Sequence, residues 1–203
     1  MNLTTPEFLR DVDAHVMTVF KDDGLFRHIR FERPYTLCMH FDLVTWPGHL
    51  CYTGDMGTFV FTRLADMFEF FRKGNGGHID RRYWAEKCRA QDKADGIVEY
   101  SPEKFAQAVR DDRLRWIRDA KDCGYLNKTE RRGLWTAIEQ EVLAYARDGE
   151  QRAMQAAMEF SFRDYSFTDF WDHNVKEFTH RFNWCCMALV WGINKYDNER
   201  KTA

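Results

Sequence analysis

The sequence predicts an α+β fold: a four-stranded antiparallel meander near the N-terminus, packed against a mainly helical C-terminal half with a long central last helix. Three observations carry this expectation. Residues 45–61, TWPGHLCYTGDMGTFVF, read as two short strands folded about a tight turn. Residues 35–46 alternate apolar Tyr35, Leu37, Met39, Phe41 and Leu43 with Thr36, Cys38, His40, Asp42 and Val44, the period of a half-buried strand. Trp171, Val175, Phe178, Phe182, Cys185, Leu189, Ile193 and Tyr196 recur at three- and four-residue spacing, an apolar stripe for a helix over residues 168–196.

The elements follow in order. Thr4-Thr5-Pro6-Glu7 opens a helix with a hydroxyl N-cap, Pro at the first position and an acid in the first turn. Phe8, Val12, Val16 and Val19 continue it at helical spacing, with Leu9 and Phe20 widening the stripe, until Asp22-Asp23-Gly24 ends it. Strands are expected over 25–33 and 35–46, joined at Arg33-Pro34, and then over 50–52 and 58–61. Pro47 and Gly48 punctuate the entry to the hairpin, and Gly54-Asp55-Met56-Gly57 closes it. Residues 66–72 form a short helix packed on the sheet. Lys73-Gly74-Asn75-Gly76-Gly77 is the most flexible passage and divides one domain, 1–203, into a sheet-containing half, 1–77, and a helical half, 78–203.

In the second half, helices are predicted over about 81–93, 102–122, 129–148 and 150–159, with short extended segments at 96–100 and 160–165. Ser101-Pro102-Glu103-Lys104 is a second capped start, and Thr129 opens the next helix. Residues 182–193 are apolar nearly all round, which places the last helix centrally.

Composition narrows the function classes. With 203 residues, 44% hydrophobic and 31% charged, the chain belongs with soluble globular proteins rather than disordered ones. Its 17 Phe, 8 Tyr and 7 Trp supply a large core or an interface, and their periodic placement favours the core. A net charge of −2 argues against a generic phosphate-backbone binder and equally against a carboxylate-built DNA mimic. The six cysteines have neither CxxC nor Cys/His zinc spacing, and MNLTTPEFLRDVD lacks the features of a signal peptide. Reduced, mostly buried thiols are therefore expected, Cys88 and Cys123 on helices among them. The longest apolar run, 184–191, is too short to cross a bilayer.

Two constellations carry chemistry. His173, Glu177 and His180 stand at i, i+4 and i+7 of the predicted last helix and project from one face. Imidazole and carboxylate donors suit zinc, iron or manganese, so these three define a candidate mononuclear divalent-metal site. A di-iron reading fails because Glu177-x-x-His180 has no second copy. The ordinary alternative is a polar stripe opposite the apolar one. The second constellation is Arg110, Arg113, Trp116 and Arg118 on one helix, with Arg115 beside them and Arg131 and Arg132 opening the next helix. Arginine with tryptophan is a frequent interface composition. Asp111, Asp112, Asp119 and Asp122 oppose it, and a solvated, salt-bridged helix is the plain alternative.

Weaker signals remain. His28, His40 and His49 fall in the strand region, and Asp42 shares a predicted face with His40, an acid–base pair in principle. His78 borders the glycine-rich passage. That passage follows a helix and lacks Gly-x-Gly-x-x-Gly or Gly-Lys-Ser/Thr, so it is a linker rather than a phosphate cradle.

Thr45-Trp46-Pro47-Gly48-His49-Leu50, Gly54-Asp55-Met56-Gly57-Thr58-Phe59 and Asp66-Met67-Phe68-Glu69-Phe70-Phe71-Arg72 resemble a group of uncharacterised bacteriophage and prophage proteins. Lys93-Ala94-Asp95-Gly96, Phe182-Asn183-Trp184-Cys185-Cys186 and Trp191-Gly192-Ile193-Asn194-Lys195-Tyr196-Asp197 are similar to it as well. The resemblance implies a phage or prophage origin and action in the cytoplasm of the bacterial host, and carries over no catalytic motif. The expectation is a non-enzymatic protein that binds a host or phage protein complex, an anti-CRISPR or other anti-defence inhibitor, through Arg110, Arg113, Trp116, Arg118 and Arg131. The alternatives are a small metal-dependent enzyme at His173, Glu177 and His180, or a nucleic-acid-binding accessory protein using the Arg110–Arg118 helix. No cofactor is expected beyond that divalent metal, and no membrane partner.

Overall fold

The computed structural model describes residues 3–72, 79–93, 96–123 and 126–202. The glycine-rich passage at 73–77, His78 and the Cys123 thiol lie outside the described residues and side chains. The chain forms two compact units: Met1–Val98 with Phe178–Ala203, and Glu99–Glu177. The last helix thus belongs to the same unit as the sheet.

In the first unit, helix α1 (Thr5–Val12) is capped as its sequence demands: the Thr4 amide and hydroxyl both donate to Glu7 Oε2, at 2.8 and 2.7 Å. It stops at Val12 rather than continuing through Val19. Val16 begins strand β1 (Val16–Asp23), which pairs antiparallel with β2 (Phe26–Glu32). Val16, Val19 and Phe20 fit a helical stripe, yet β-branched and aromatic residues suit a strand equally, and cross-strand pairing decided between the two.

The meander continues through β3 (Phe41–Trp46), β4 (His49–Gly54), β5 (Gly57–Thr62) and β6 (Cys88–Gln91), giving six strands in sequence order where four were expected. The extra strands are β1 and β6; β6 takes the end of the predicted 81–93 helix, which stops as α3 at Arg81–Lys87. Residues 35–40 alternate in sequence but are not a strand. Tyr35 and Met39 have φ of 66° and 59°, and hydrogen bonds donated by the Thr36 amide to Arg33 O and by the His40 amide to Leu37 O fold the segment into turns.

One sheet face carries Ile29, Phe31, Phe41, Leu43, Leu50, Tyr52, Phe59 and Phe61, all fully buried. Helix α7 (His180–Thr202) contributes Phe182, Trp184, Cys185, Leu189, Ile193 and Tyr196 to the same core. The long helix begins at His180, twelve residues after the expected start at 168. Gly192 lets it approach closely: a Cβ there would lie 3.1 Å from Phe31 and 3.2 Å from Leu43. Short helix α2 (Met67–Arg72) completes this unit, tied by Arg27 to Asp66 at 2.9 and 3.0 Å and by Arg72 to Asp197 at 2.7 and 2.6 Å.

The second unit is helical. Strand β7 (Val98–Tyr100) leads to α4 (Pro102–Cys123), α5 (Lys128–Glu141), a 3-10 turn at Leu143–Tyr145 and α6 (Glu150–Glu159). The hairpin β8 (Ser161–Phe162) and β9 (Tyr165–Ser166), a 3-10 turn at Phe170–Asp172 and β10 (Lys176–Phe178) follow, with β10 paired to β7. Asn127, not Thr129, caps α5: its side chain accepts from the Thr129 and Glu130 amides while Glu130 Oε2 accepts from the Asn127 amide. Phe105, Val109, Leu134, Ile138, Val142, Ala153, Ala157 and Phe170 form the core of this unit. Among the described residues no helix is long and apolar enough to cross a membrane.

Candidate interaction surface

Helix α4 positions the arginine-rich constellation. Pro102 occupies its first position and the Ser101 hydroxyl accepts the Lys104 amide at 3.3 Å. Phe105, Ala108, Val109 and Asp112 are buried, so this side of the helix faces the core. Ala106, Arg110, Leu114 and Arg118 follow at i, i+4 steps along another face, where Arg110 and Arg118 are exposed and Leu114 is 50% exposed.

The five arginine and tryptophan candidates therefore divide. Arg113 stacks its guanidinium 4.7 Å above the Trp135 ring, and burial pulls its pKa below the ordinary arginine value. Trp116 packs against Tyr165 and Phe167 at 5.6 and 4.7 Å. Arg131 Nε donates to Leu126 O at 3.1 Å and braces the entry to α5. Those three serve the unit's own packing. Among the described residues, Arg110 and Arg118 have no ion-pair partner.

Beside Arg110 lies a groove of about 340 Å³, lined by Pro102, Glu103, Ala106, Leu143, Ala144, Ala146 and Arg147. The Tyr100 hydroxyl donates to Ala146 O at 2.9 Å and holds the 3-10 turn that lines the groove in place. Burial, followed by the charges of Glu150 and Glu103, pushes the Tyr100 pKa up to about 12, so it stays a donor. Arg147 reaches Glu103 at 3.3 Å, but both side chains are largely exposed, and a pair of that kind holds weakly. The result is a groove of mixed polar and apolar lining that holds two cations, Arg110 and Arg147, and one carboxylate, Glu103, and is extended along α4 by Leu114 and Arg118. Arg147 and Leu143 were not apparent in the sequence, because nothing local ties residues 143–147 to α4.

The His173, Glu177 and His180 constellation loses its premise. The last helix begins at His180; His173 follows a 3-10 turn and Glu177 sits in β10, so no helical face unites the three. His173 Nε2 instead lies 2.9 Å from buried Asp112 Oδ2, whose other oxygen is 3.2 Å from Arg115. Among the described residues, no group of three or more His, Cys, Asp or Glu side chains is placed to hold a metal. His40 likewise sits in the turn before β3, its Nδ1 2.6 Å from Leu37 O, and does not share a strand face with Asp42.

Asp42 has other partners. Arg30 Nε and Nη2 donate to its two oxygens at 2.7 and 3.0 Å, and His28 Nε2 lies 2.9 Å from Oδ2. Burial raises the Asp42 pKa, yet the bonds from Arg30 and His28 outweigh it and hold the carboxyl below the usual range. This cluster occupies the sheet face opposite the core, with Phe20 4.8 Å from the His28 ring and Trp46 stacked on His49 at 4.9 Å.

No family model, curated protein or solved structure matches the chain.

Proposed function

We propose that this chain is a non-enzymatic protein of phage or prophage origin that binds a host or phage protein complex, and that it acts as an anti-CRISPR or other anti-defence inhibitor in the host cytoplasm. The resemblance of the 45–50, 54–59 and 66–72 passages to phage proteins supports the origin. The observation that carries the binding reading is the groove beside α4, where Arg110 and Arg147 stand next to Ala106 and Leu143 and exposed Leu114 and Arg118 continue the surface. Exposed apolar area between cations fits an amphipathic acidic segment: the apolar side chain is desolvated in the trough while carboxylates pair with the guanidinium groups. Nucleic acid would meet the same cations through phosphate, but a chain of net charge −2 lacks the excess positive charge that phosphate-backbone binding draws on.

The activity is tested by phage plating on bacteria whose defence system targets that phage, with and without the chain expressed. Restored plating by the wild type, lost in Arg110→Glu/Arg118→Glu at equal expression, supports the proposal. Failure of the wild type to restore plating against any defence system of the host would overturn it.

A further inference from the structure

Strand β1 closes one end of the six-stranded sheet, and among the described residues no strand pairs with its outer edge. Such an edge presents a row of backbone donors and acceptors that can template another strand. Protein edges are usually blunted by charge, Pro or a bulge. Here Val16-Met17-Thr18-Val19-Phe20 carries neither charge nor Pro, and Val16, Val19 and Phe20 are 52%, 43% and 57% exposed. A register shift between Val19 and Lys21 leaves Phe20 without a partner on β2, so the regular part of the edge is Val16–Val19, and the charged residues come only after it. They are engaged within the unit: Lys21 lies 5.5 Å over the Phe26 ring, and Asp22 accepts from the Tyr196 hydroxyl at 2.8 Å.

Pairing with β2 fixes which way each side chain faces. Met17 opposite Phe31 and Val19 opposite Ile29 lie on the helix-covered face. Val16 opposite Glu32 and Thr18 opposite Arg30 lie on the other, as does Phe20, which reaches His28 and sits 5.7 Å from the Arg30 guanidinium.

We propose that β1 pairs antiparallel with β1 of a second copy of this chain, about a twofold axis through Thr18, so that two six-stranded sheets become one continuous sheet. An axis perpendicular to the sheet keeps the helix-covered faces on one side, which allows only registers that match residues of the same face. With Thr18 opposite its own copy, Met17 meets Val19 within the regular part of the edge, and Val16 meets Phe20 where the bulge begins. Each contact joins side chains that pair favourably across strands: hydroxyl with hydroxyl, aliphatic with aliphatic, β-branched with aromatic. Centring the axis on Val19 instead sets Lys21 against Met17 and Asp22 against Val16. Centring it on Met17 sets the buried turn residue His15 against Val19. A foreign strand would satisfy the same backbone groups, but the uncharged, self-complementary run selects a second copy. This inference uses the first unit alone and is independent of the groove.

Sedimentation equilibrium of the full chain over a concentration series tests it. The wild type should reach twice the chain mass at the upper concentrations. Thr18→Lys should remain monomeric with unchanged far-UV circular dichroism, because residue 18 is exposed and two lysines would face each other at the axis. A covalent arm stands beside it, in a Cys38→Ser background that removes the one thiol exposed among the described residues. Directly opposed residues in an antiparallel pair have Cα atoms about 4.5–5.5 Å apart, within disulfide reach. Thr18→Cys should therefore cross-link to completion under mild oxidation, while Asp23→Cys should not. A wild type that stays monomeric throughout, a dimer unaffected by Thr18→Lys, or equal cross-linking at residues 18 and 23 would each overturn the proposal. If Thr18→Lys does not fold, the cross-linking pair decides.

Discussion

Truncating Trp184 to alanine probes the joint between the last helix and the sheet. Trp184 is fully buried, with ring contacts to Phe8 at 5.1 Å, Phe41 at 5.6 Å and Tyr52 at 6.5 Å. A side chain of its size hides roughly 200–250 Å². At ~25 cal/mol/Å² that burial is worth about 5–6 kcal/mol, and a realistic, more compact unfolded chain reduces it to about 4 kcal/mol. Core Trp→Ala changes cost about 3–5 kcal/mol, which brackets the same figure. The indole N–H also donates to Asp11 Oδ2 at 3.0 Å, but Asp11 is only half-buried and water can replace the donor, adding about 1 kcal/mol or less. Against a total stability of about 5–15 kcal/mol, Trp184→Ala removes a large fraction, while Trp184→Phe should cost about 1–2 kcal/mol. Because the chain has two compact units, amide hydrogen exchange read peptide by peptide is the suitable assay. Protection should fall in β3, β4 and α7 and hold in α4 and α5. A loss below about 1 kcal/mol in α7, or an equal loss in the second unit, would refute the reasoning.

Further outcomes follow from single sites. Gly54→Ala should cost more than about 2 kcal/mol in thermal or urea unfolding, because its Cβ would fall on the His40 carbonyl and 2.7 Å from the Phe41 Cα, both backbone, which cannot rotate away. Burial holds the His15 pKa below its ordinary value of 6.5, a bond to Met39 O only partly opposing it, so the fold favours the neutral ring. Unfolded chains take up a proton that the folded one does not, so stability is full above about pH 6.5 and falls below it; His15→Gln should flatten that slope in urea titrations between about pH 7 and 5. Burial raises the Asp66 carboxyl, but the bonds from Arg27 and the Phe68 amide outweigh it and leave its pKa lowered, as at Asp42. Both contribute stability that is complete above about pH 4 and lost as pH falls through their lowered values, a second acid step that Asp42→Asn should diminish. Asp112→Ala should cost about 1–3 kcal/mol in the second unit by leaving His173 Nε2 without its partner, and exchange in α4 would report it.

Legibility in this sequence tracked how local the deciding physics is. The β4–β5 hairpin was readable because Gly54 and Gly57 set its turn, and the Ser101-Pro102 cap fixed the start of α4 within one residue. The stripe from Phe182 to Tyr196 likewise marked α7. Besides the turns at 35–40, three segments were misread, and for two of them the state depends on a distant partner. β1 is a strand because β2 pairs with it, and β6, Cys-Arg-Ala-Gln, has no alternation at all and exists only through β5. At residues 168–178 the spacing of Trp171, Val175 and Phe178 continues the helical stripe, yet Asp169 is left-handed at φ 52° and Phe170, outside that stripe, is the residue fully buried.

The candidate surface divides the same way. Arg110 and Arg118 were readable as exposed cations, whereas Arg113 and Trp116 look identical in sequence and are spent on Trp135, Tyr165 and Phe167. A signal for His173 was present and unused: Asp112 falls at the same helical spacing as Phe105, Ala108 and Val109, and a carboxylate among core positions announces a buried partner.

The central claim is that Arg110, Arg118 and Arg147 form a protein-binding surface. The most direct measurement is affinity capture from nuclease-treated host lysate with the tagged chain and with its Arg110→Glu/Arg118→Glu/Arg147→Glu variant, both checked for fold by circular dichroism. All three residues are exposed, so the variant should fold unchanged. The account predicts one protein complex captured stoichiometrically by the wild type and lost from the variant, with capture weakening as salt rises. The same complex held equally by both proteins, or capture that disappears on nuclease treatment, would contradict it.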